Sequence, residues 1–379
     1  MSCGCNLRKR INRENIKTNL RDVYLDYNAT TKPDSQVLAE IERVNRIHWG
    51  NPSAQNSRGV DLYNLIMSKI SLCKSIFKIE EYDTYFDTSS TSLINKISAD
   101  PLYKDIISST IEHPSLLNSA DIKVSTNSYG VIDLIKLNKQ LQNSKKQVII
   151  YSPVNHETGN IQPIEDIYRI AQTHNTPVIL DAVQTLPRLD IADWVPYCHG
   201  FYFSGHKIHS IQGAAALFVK KSTFNFNLKD SPLPFSLYSG TLNTPGVIGL
   251  LKAVEILQRN FTEYISSLKI LHNEAMAILK KIESINIEST ESAPGIINIT
   301  LNNIDSIEDV LLFLSRQGIQ TGRVSACSGD INAESYVLKA MGRDSLRAKN
   351  SLRLSFGKDS KRDDFFRVSS SLKKYYNQL

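Results

Sequence analysis

Two short apolar runs, Val178-Ile-Leu-Asp-Ala-Val-Gln-Thr185 and Gly200-Phe-Tyr-Phe-Ser-Gly-His-Lys207, constrain this chain more than any other stretch. Each is a cluster of Val, Ile, Leu, Phe or Tyr that closes on polar residues. Unbroken apolar character over so few residues is the pattern of strands buried on both faces of a parallel sheet. In open α/β sheets the ligand crevice lies beyond the carboxyl ends of the strands. Asp181 and Lys207 stand at those ends, so both are expected to face one pocket.

The neighbouring segments keep the same rhythm. Gln147–Tyr151 reads as a strand, Ile164 to Gln172 as a helix, and Val178–Asp181, Gly200–Phe203 and Ala214–Val219 as further strands, the alternation of βαβ units with parallel pairing. Upstream, Val23-Tyr-Leu-Asp26 leads through a loop into a helix that Asp34 or Ser35 can cap, with Val37, Leu38, Ile41 and Val44 on one face. Downstream, Leu250, Val254, Leu257, Phe261, Tyr264, Leu268, Leu271 and Ala275 recur at steps of four and three, which fits one long helix or two in close succession. The last hundred residues carry strand patterns at Gly295–Leu301 and Ser351–Ser355 and helices from about Ile307 to Gln317 and from about Lys361. The expected organisation is a polar basic tail over residues 1–22, a large α/β domain over 23–260 with a mixed, mostly parallel sheet, and a smaller α+β domain over 261–379.

Composition narrows the class. With 379 residues, 41% of them hydrophobic and 22% charged, the chain has the makeup of a globular protein large enough for a second domain. No apolar run approaches the ~20 residues that span a bilayer, and the basic N-terminus has no apolar segment behind it, so a cytosolic location is the default expectation and no membrane partner is expected. Five cysteines, Cys3, Cys5, Cys73, Cys198 and Cys327, are too scattered for a disulfide framework, and any reactive one should be a free thiol. Cys3 and Cys5 lack a partner pair, so no metal site is expected. Part of the net charge of +6 sits in the tail around Arg8-Lys-Arg10, where a solvated tail is the simpler reading than a nucleic-acid contact.

An acid and a lysine at adjacent strand ends are what a pyridoxal phosphate (PLP) site uses: an amine for the cofactor's aldehyde and an anion at its pyridine nitrogen. Lys207, at a tight turn after Gly205 and His206, is the candidate amine, and Asp181 the candidate anion. Ser89, Ser90 and Thr91, with Ser204 and His206, are candidates for a phosphate cup at a helix N-terminus. Taken singly, Lys207 reads better as a solvated surface lysine and the Ser-Ser-Thr run more often as a plain loop, while Asp181 reads also as a cap of the next turn.

Taken together, the motifs resemble the NifS/IscS family of cysteine desulfurases, in the class V aminotransferase group of PLP fold type I, in unbroken order from about Tyr24 to the end. They are Tyr24-Leu-Asp-Tyr-Asn-Ala-Thr-Thr31, Gly50-Asn-Pro-Ser53 with Ser57-Arg-Gly59, Ile111-Glu-His113, Val154-Asn-His-Glu-Thr-Gly159, Asp181-Ala-Val-Gln184, Ser204-Gly-His-Lys207, Ser239-Gly-Thr241, Ser325-Ala-Cys-Ser328 and Ser351-Leu-Arg-Leu-Ser355. The resemblance implies a PLP-dependent desulfurase that converts L-cysteine to L-alanine through a persulfide on Cys327. Lys207 would move the α-proton, His113 would stack on the cofactor ring, Gln184 would donate to its ring oxygen, and His156 would stand at a cofactor contact. Arg353 and Asn28 would bind the substrate, Arg353 through the planar fork that suits a carboxylate. A homodimer is implied, with Thr241 reaching the partner's phosphate cup, and so is a sulfur-acceptor protein.

Several positions depart from the family pattern. His156 stands where the family carries an asparagine, Thr88-Ser-Ser-Thr-Ser92 replaces Ser-Gly-Ala-Thr-Glu and so lacks a glycine and an acid, Tyr238 replaces an arginine, Val324 a glycine, and Asn56 a common histidine. These are the marks of a divergent member, of the kind met among NifS-like proteins of large DNA viruses. They keep open a PLP-binding protein retained for partner binding, and another fold type I reaction such as transamination or selenocysteine lysis.

Overall fold

The computed structural model describes residues 21–142, 146–229, 231–289, 291–323 and 334–378. Twelve strands are seen among them: β1 (Val23–Leu25), β2 (Tyr82–Asp87), β3 (Asp105–Ser109), β4 (Ile122–Val124), β5 (Gln147–Tyr151), β6 (Val178–Asp181), β7 (Gly200–Ser204), β8 (Ala215–Lys220), β9 (Ile285–Ile287), β10 (Ile296–Leu301), β11 (Ile319–Arg323) and β12 (Ser351–Ser355). Seven form one sheet in the order β2-β8-β7-β6-β5-β3-β4, and five form a second in the order β1-β11-β12-β10-β9.

In the large sheet β4, β3, β5, β6 and β7 pair in parallel. Every residue of β5, β6 and β7 is buried, as their unbroken apolar runs require. Successive side chains go to opposite faces. Phe201 and Phe203 join one core cluster with Phe77, Trp194 and Phe218, while Tyr202, Ile179 and Leu217 join the cluster on the other face. Phe201 meets Trp194 edge-on at 4.9 Å and Phe77 at 5.1 Å between ring centroids. The rhythm breaks at the far edge: β8 returns antiparallel to β7 and β2 antiparallel to β8. A hairpin-type connection from Gly205 to Ala214 therefore follows β7, and Lys207 stands in its first turn.

The second sheet is built mainly from the C-terminal third, but its outer strand is β1, which pairs in parallel with β11 through Val23, Tyr24 and Leu25. Val23 and Leu25 are buried in the cluster formed by Leu268, Ile297, Leu354 and Phe365. The apolar pattern from Leu250 to Ala275 proves to be two helices, Thr244–Arg259 and Phe261–Leu279, that meet at Asn260.

Caps explain several helix starts. Asp34 accepts from the Gln36 amide to begin Ser35–Ile47, and Asn56, at a position where histidine is common, accepts from the Gly59 amide to begin Ser57–Phe77. Gly59 is required there because a Cβ would collide with the Asn51 and Ala54 carbonyl oxygens. No described helix is long and apolar enough to cross a membrane.

Phe201 is the second residue of β7, the strand that leads into the Lys207 turn. Phe201→Ala should lower stability by about 3–5 kcal/mol, the usual cost of deleting a buried aromatic ring, and equilibrium urea unfolding will measure it. A loss below 1 kcal/mol would show that this cluster does not support the sheet.

Candidate active site

A pocket of about 330 Å³ opens at the carboxyl ends of β6 and β7. It gathers Asn28, Ser89, Ser90, Thr91, His113, His156, Asp181, Gln184, Ser204, His206, Lys207 and Arg353, so twelve of the residues singled out in the sequence share one cavity. Thr241 does not line it and lies exposed on its own chain. Cys327 and Val324 fall outside the described residues, as do Cys3 and Cys5.

Lys207 is held by the backbone. Its ammonium donates to the Asn28 carbonyl and, at 2.8 Å, to the Ala29 carbonyl. The turn that carries it is braided onto the segment after β1: the Thr31 amide and hydroxyl both donate to the His206 carbonyl at 2.9 Å, and the His209 amide donates back to the Thr31 hydroxyl at 2.8 Å. His209 closes this braid with φ 68°, a left-handed conformation uncommon outside glycine and held by the surrounding bonds.

Asp181 lies across the pocket, accepting from the Val183 amide at 3.0 Å. Burial pushes its carboxyl up to about 6, against the opposing pull of that amide and of Lys207. The Tyr202 hydroxyl lies beside it without closing a well-formed hydrogen bond. A buried acid in this state is stabilised as an anion by a cation brought against it, which is what a protonated ring nitrogen supplies.

The two histidines are neutral, and their partners fix their tautomers. Burial lowers the pKa of His113 to about 4. Its Nδ1 accepts from the Ser115 amide, which leaves the ring proton on Nε2. His156 is pushed well below its usual range by burial. The Tyr336 hydroxyl spends its proton on the Glu112 carbonyl at 2.7 Å, so His156 Nε2 donates to it at 3.1 Å, and the buried Nδ1 carries a lone pair without a hydrogen-bond partner among the described residues. The ring standing in the family's asparagine position therefore offers an acceptor. The two rings meet edge-on at 5.3 Å.

At one end of the pocket the helix Ser90–Ser98 presents its first amides, capped by Ser89. The hydroxyls of Ser90 and Ser204 are 2.8 Å apart. The acid missing from position 92 has a counterpart: Asp87, at the end of β2, accepts from the Ser92 hydroxyl at 2.7 Å.

Arg353 is 5% exposed and donates to Asp26 at 2.8 Å and to the His156 carbonyl at 3.0 Å, while its Nε has no hydrogen-bond partner among the described residues. Gly322 makes room for this pair, since a Cβ there would collide with Asp26 Oδ1 and Arg353 Nη2. The Asn28 side chain is engaged at both ends, donating to the His156 carbonyl at 2.9 Å and accepting from Arg188 at 2.6 Å.

Sequence reasoning missed Asp26, Arg188 and Tyr336. Asp26 lay inside a quoted motif and could have been found there. Arg188 carries no sequence signal, being one of 44 Lys and Arg residues, and only its burial reveals it. Among the described residues no group of three or more His, Cys, Asp or Glu is placed to hold a metal. The residues do fit PLP: an amine, a buried acid, a neutral flat ring, helix amides with two hydroxyls, and a guanidinium for a substrate carboxylate.

The family model for aminotransferase class-V matches residues 23–368. A cysteine desulfurase of Nostoc sp. is 30% identical over 352 residues, covering 88% of this chain and 87% of that protein. The cysteine desulfurase NifS of Azotobacter vinelandii is 26% identical over 369 residues, covering 92% of this chain and 91% of that protein. The X-ray structure of a NifS-like protein from Rickettsia africae superposes with a TM-score of 0.84 at 27% identity, covering 94% of this chain and all of that one. The chain thus belongs to the class-V aminotransferase family, within the NifS/IscS-like cysteine desulfurases of PLP fold type I.

The raised carboxyl of Asp181 has a sign that can be checked. The fold keeps this proton to a higher pH than the unfolded chain does, so the cofactor-free protein loses stability as pH rises from about 4 to about 6. Asp181→Asn stays neutral, so its melting temperature should gain on the parent's between pH 4 and pH 7. A constant difference across that window would rule out the assignment.

Proposed function

We propose that this protein is a PLP-dependent cysteine desulfurase that converts L-cysteine to L-alanine and takes up the sulfur as a persulfide on Cys327. The convergence of Asp181, Lys207, His113 and Arg353 on one pocket carries this reading. When bound, PLP supplies an electron sink for carbanion chemistry at the α-carbon of an amino acid. Lys207 would hold its aldehyde, Asp181 would keep its ring nitrogen protonated, and the Ser90, Thr91 and Ser204 cluster with His206 would take its phosphate. His113 and His156 would flank the ring, and Gln184 would face its ring oxygen.

Arg353 binds the substrate carboxylate and so orients the α-proton toward Lys207, which accepts it and returns it. Cys327 attacks the substrate sulfur as a thiolate. An S–S bond forms as the Cβ–S bond breaks, the electron pair stays on carbon, and protonation there completes alanine. Burial pushes the thiols of Cys73 and Cys198 up to about 12, which makes both poor nucleophiles at neutral pH and favours Cys327 for this role. Both are free thiols, as suits a reducing compartment, and we place the enzyme's work in the cytoplasm, with a sulfur-acceptor protein as its second partner.

The test is sulfide and alanine release from L-cysteine by PLP-loaded protein in the presence of a reductant. Cys327→Ala should lower sulfide release at least 100-fold while leaving PLP uptake intact. Undiminished release from that variant, or a loaded parent inert toward cysteine, would sink the proposal.

A homodimer in which Thr241 completes the partner's phosphate cup accounts for the exposure of that residue outside its own pocket. Lys207→Ala and Thr241→Ala chains, each impaired alone, should regain activity on co-expression, because each mixed dimer holds one intact site. No recovery, or a monomeric mass at full PLP occupancy, would contradict it.

A further inference from the structure

A second cavity of about 330 Å³ lies behind the candidate active site, with Lys207 on the wall of both. Tyr27 and Thr31 line the rear cavity, whereas the intervening Asn28 and Ala29 line the front one. The reaction proposed above assigns the rear cavity no role.

Arg188 marks it as a site. This residue is 4% exposed and lines the rear cavity. Its guanidinium donates to the Asn28 side chain at 2.6 Å and the Gln184 carbonyl at 3.2 Å, and its Nε has no hydrogen-bond partner among the described residues. Among the described residues none of its hydrogen bonds goes to a carboxylate, and its electrostatic neighbours are the Tyr264 phenol, uncharged at neutral pH, and another cation, Arg353. Burial lowers its pKa to about 10, which still leaves it charged at neutral pH. A buried cation without a counter-charge is costly, and the cost is relieved when an anion arrives.

The acids on the cavity wall do not meet that need. Asp34 is committed to Lys358 at 2.5 Å and to capping its helix, and Glu263 makes no ion pair with Arg188. The rest of the wall includes Val37, Ile256 and Leu257, which present apolar surface. A cation beside an apolar wall in a cavity of this size suits a small amphipathic anion.

We propose that the rear cavity binds a short-chain aliphatic carboxylate, with its carboxylate on Arg188 and its tail against Ile256 and Leu257. The site is coupled to the front pocket, because Arg188 holds Asn28 and the Asn28 carbonyl accepts from Lys207. An anion on Arg188 competes with Asn28 for the guanidinium and loosens that support. The inference does not depend on cysteine turnover.

The test is calorimetric titration of the full-length, PLP-loaded protein with butyrate, using butyramide as the uncharged control. Arg353 in the front pocket also suits a carboxylate, so Arg353→Gln separates the two sites. Butyrate should bind saturably and at least tenfold more tightly than butyramide. Arg188→Gln and the cavity-filling Leu257→Trp should each weaken it at least tenfold, while Arg353→Gln leaves it unchanged. The absence of saturable binding, binding unaffected by Leu257→Trp, or binding lost through Arg353→Gln would overturn the proposal. Leu257→Trp keeps the test decisive even if Arg188→Gln fails to fold.

Discussion

The hydrogen bonds from Lys207 to the carbonyls of Asn28 and Ala29 join two parts of the molecule that the chain order keeps far apart. Lys207 belongs to the turn after β7 in the large sheet, and its acceptors follow directly from β1 in the small one. A displacement of either sheet would be transmitted to the reactive amine. The Thr31–His206 and His209–Thr31 bonds repeat the connection a few residues on, so the lysine sits in a seam stitched at several points. Arg353 crosses the same seam, from β12 to the His156 carbonyl.

Around that seam the protein buries ionisable groups, and burial draws its acids up toward neutrality and its histidines down to the neutral form. Glu112 takes bonds from the Ser109 hydroxyl at 2.5 Å and the Ser152 amide at 2.9 Å, yet burial still pushes it up to about 7. Glu157 reaches about the same value despite the Ser335 hydroxyl at 2.6 Å. With His113 and His156 neutral, the low dielectric strengthens whatever charge a ligand brings. A site of this kind is preorganised for a charged cofactor, because its dipoles are already oriented.

Much of this was legible in the sequence, for a physical reason. Strands covered on both faces cannot alternate, so β5, β6 and β7 announced themselves, and the polar residue closing each of β6 and β7 marked the pocket. Direction was not legible, because an apolar run such as Ala214–Val219 reads the same whether it pairs parallel or antiparallel. The attachment of β1 to the small sheet was hidden for a similar reason: Val-Tyr-Leu suits either sheet, and only tertiary packing chooses. The break at Asn260 carries neither proline nor glycine. Arg188 and Tyr336 act through burial and through a hydroxyl's single proton, neither of which leaves a spacing pattern.

The bond between Asp87 and Ser92 carries a lesson about divergence. Read letter by letter, this segment lacks the acid expected at position 92, which looks like an injury to the phosphate end of the site. In space a carboxylate is still close by: Asp87, at the end of the preceding strand, accepts from the hydroxyl that stands at position 92. The changed letter at 92 therefore does not leave the first turn of the helix without an acid beside it. Loss of family residues near the pocket therefore measures drift in spelling more closely than drift in chemistry.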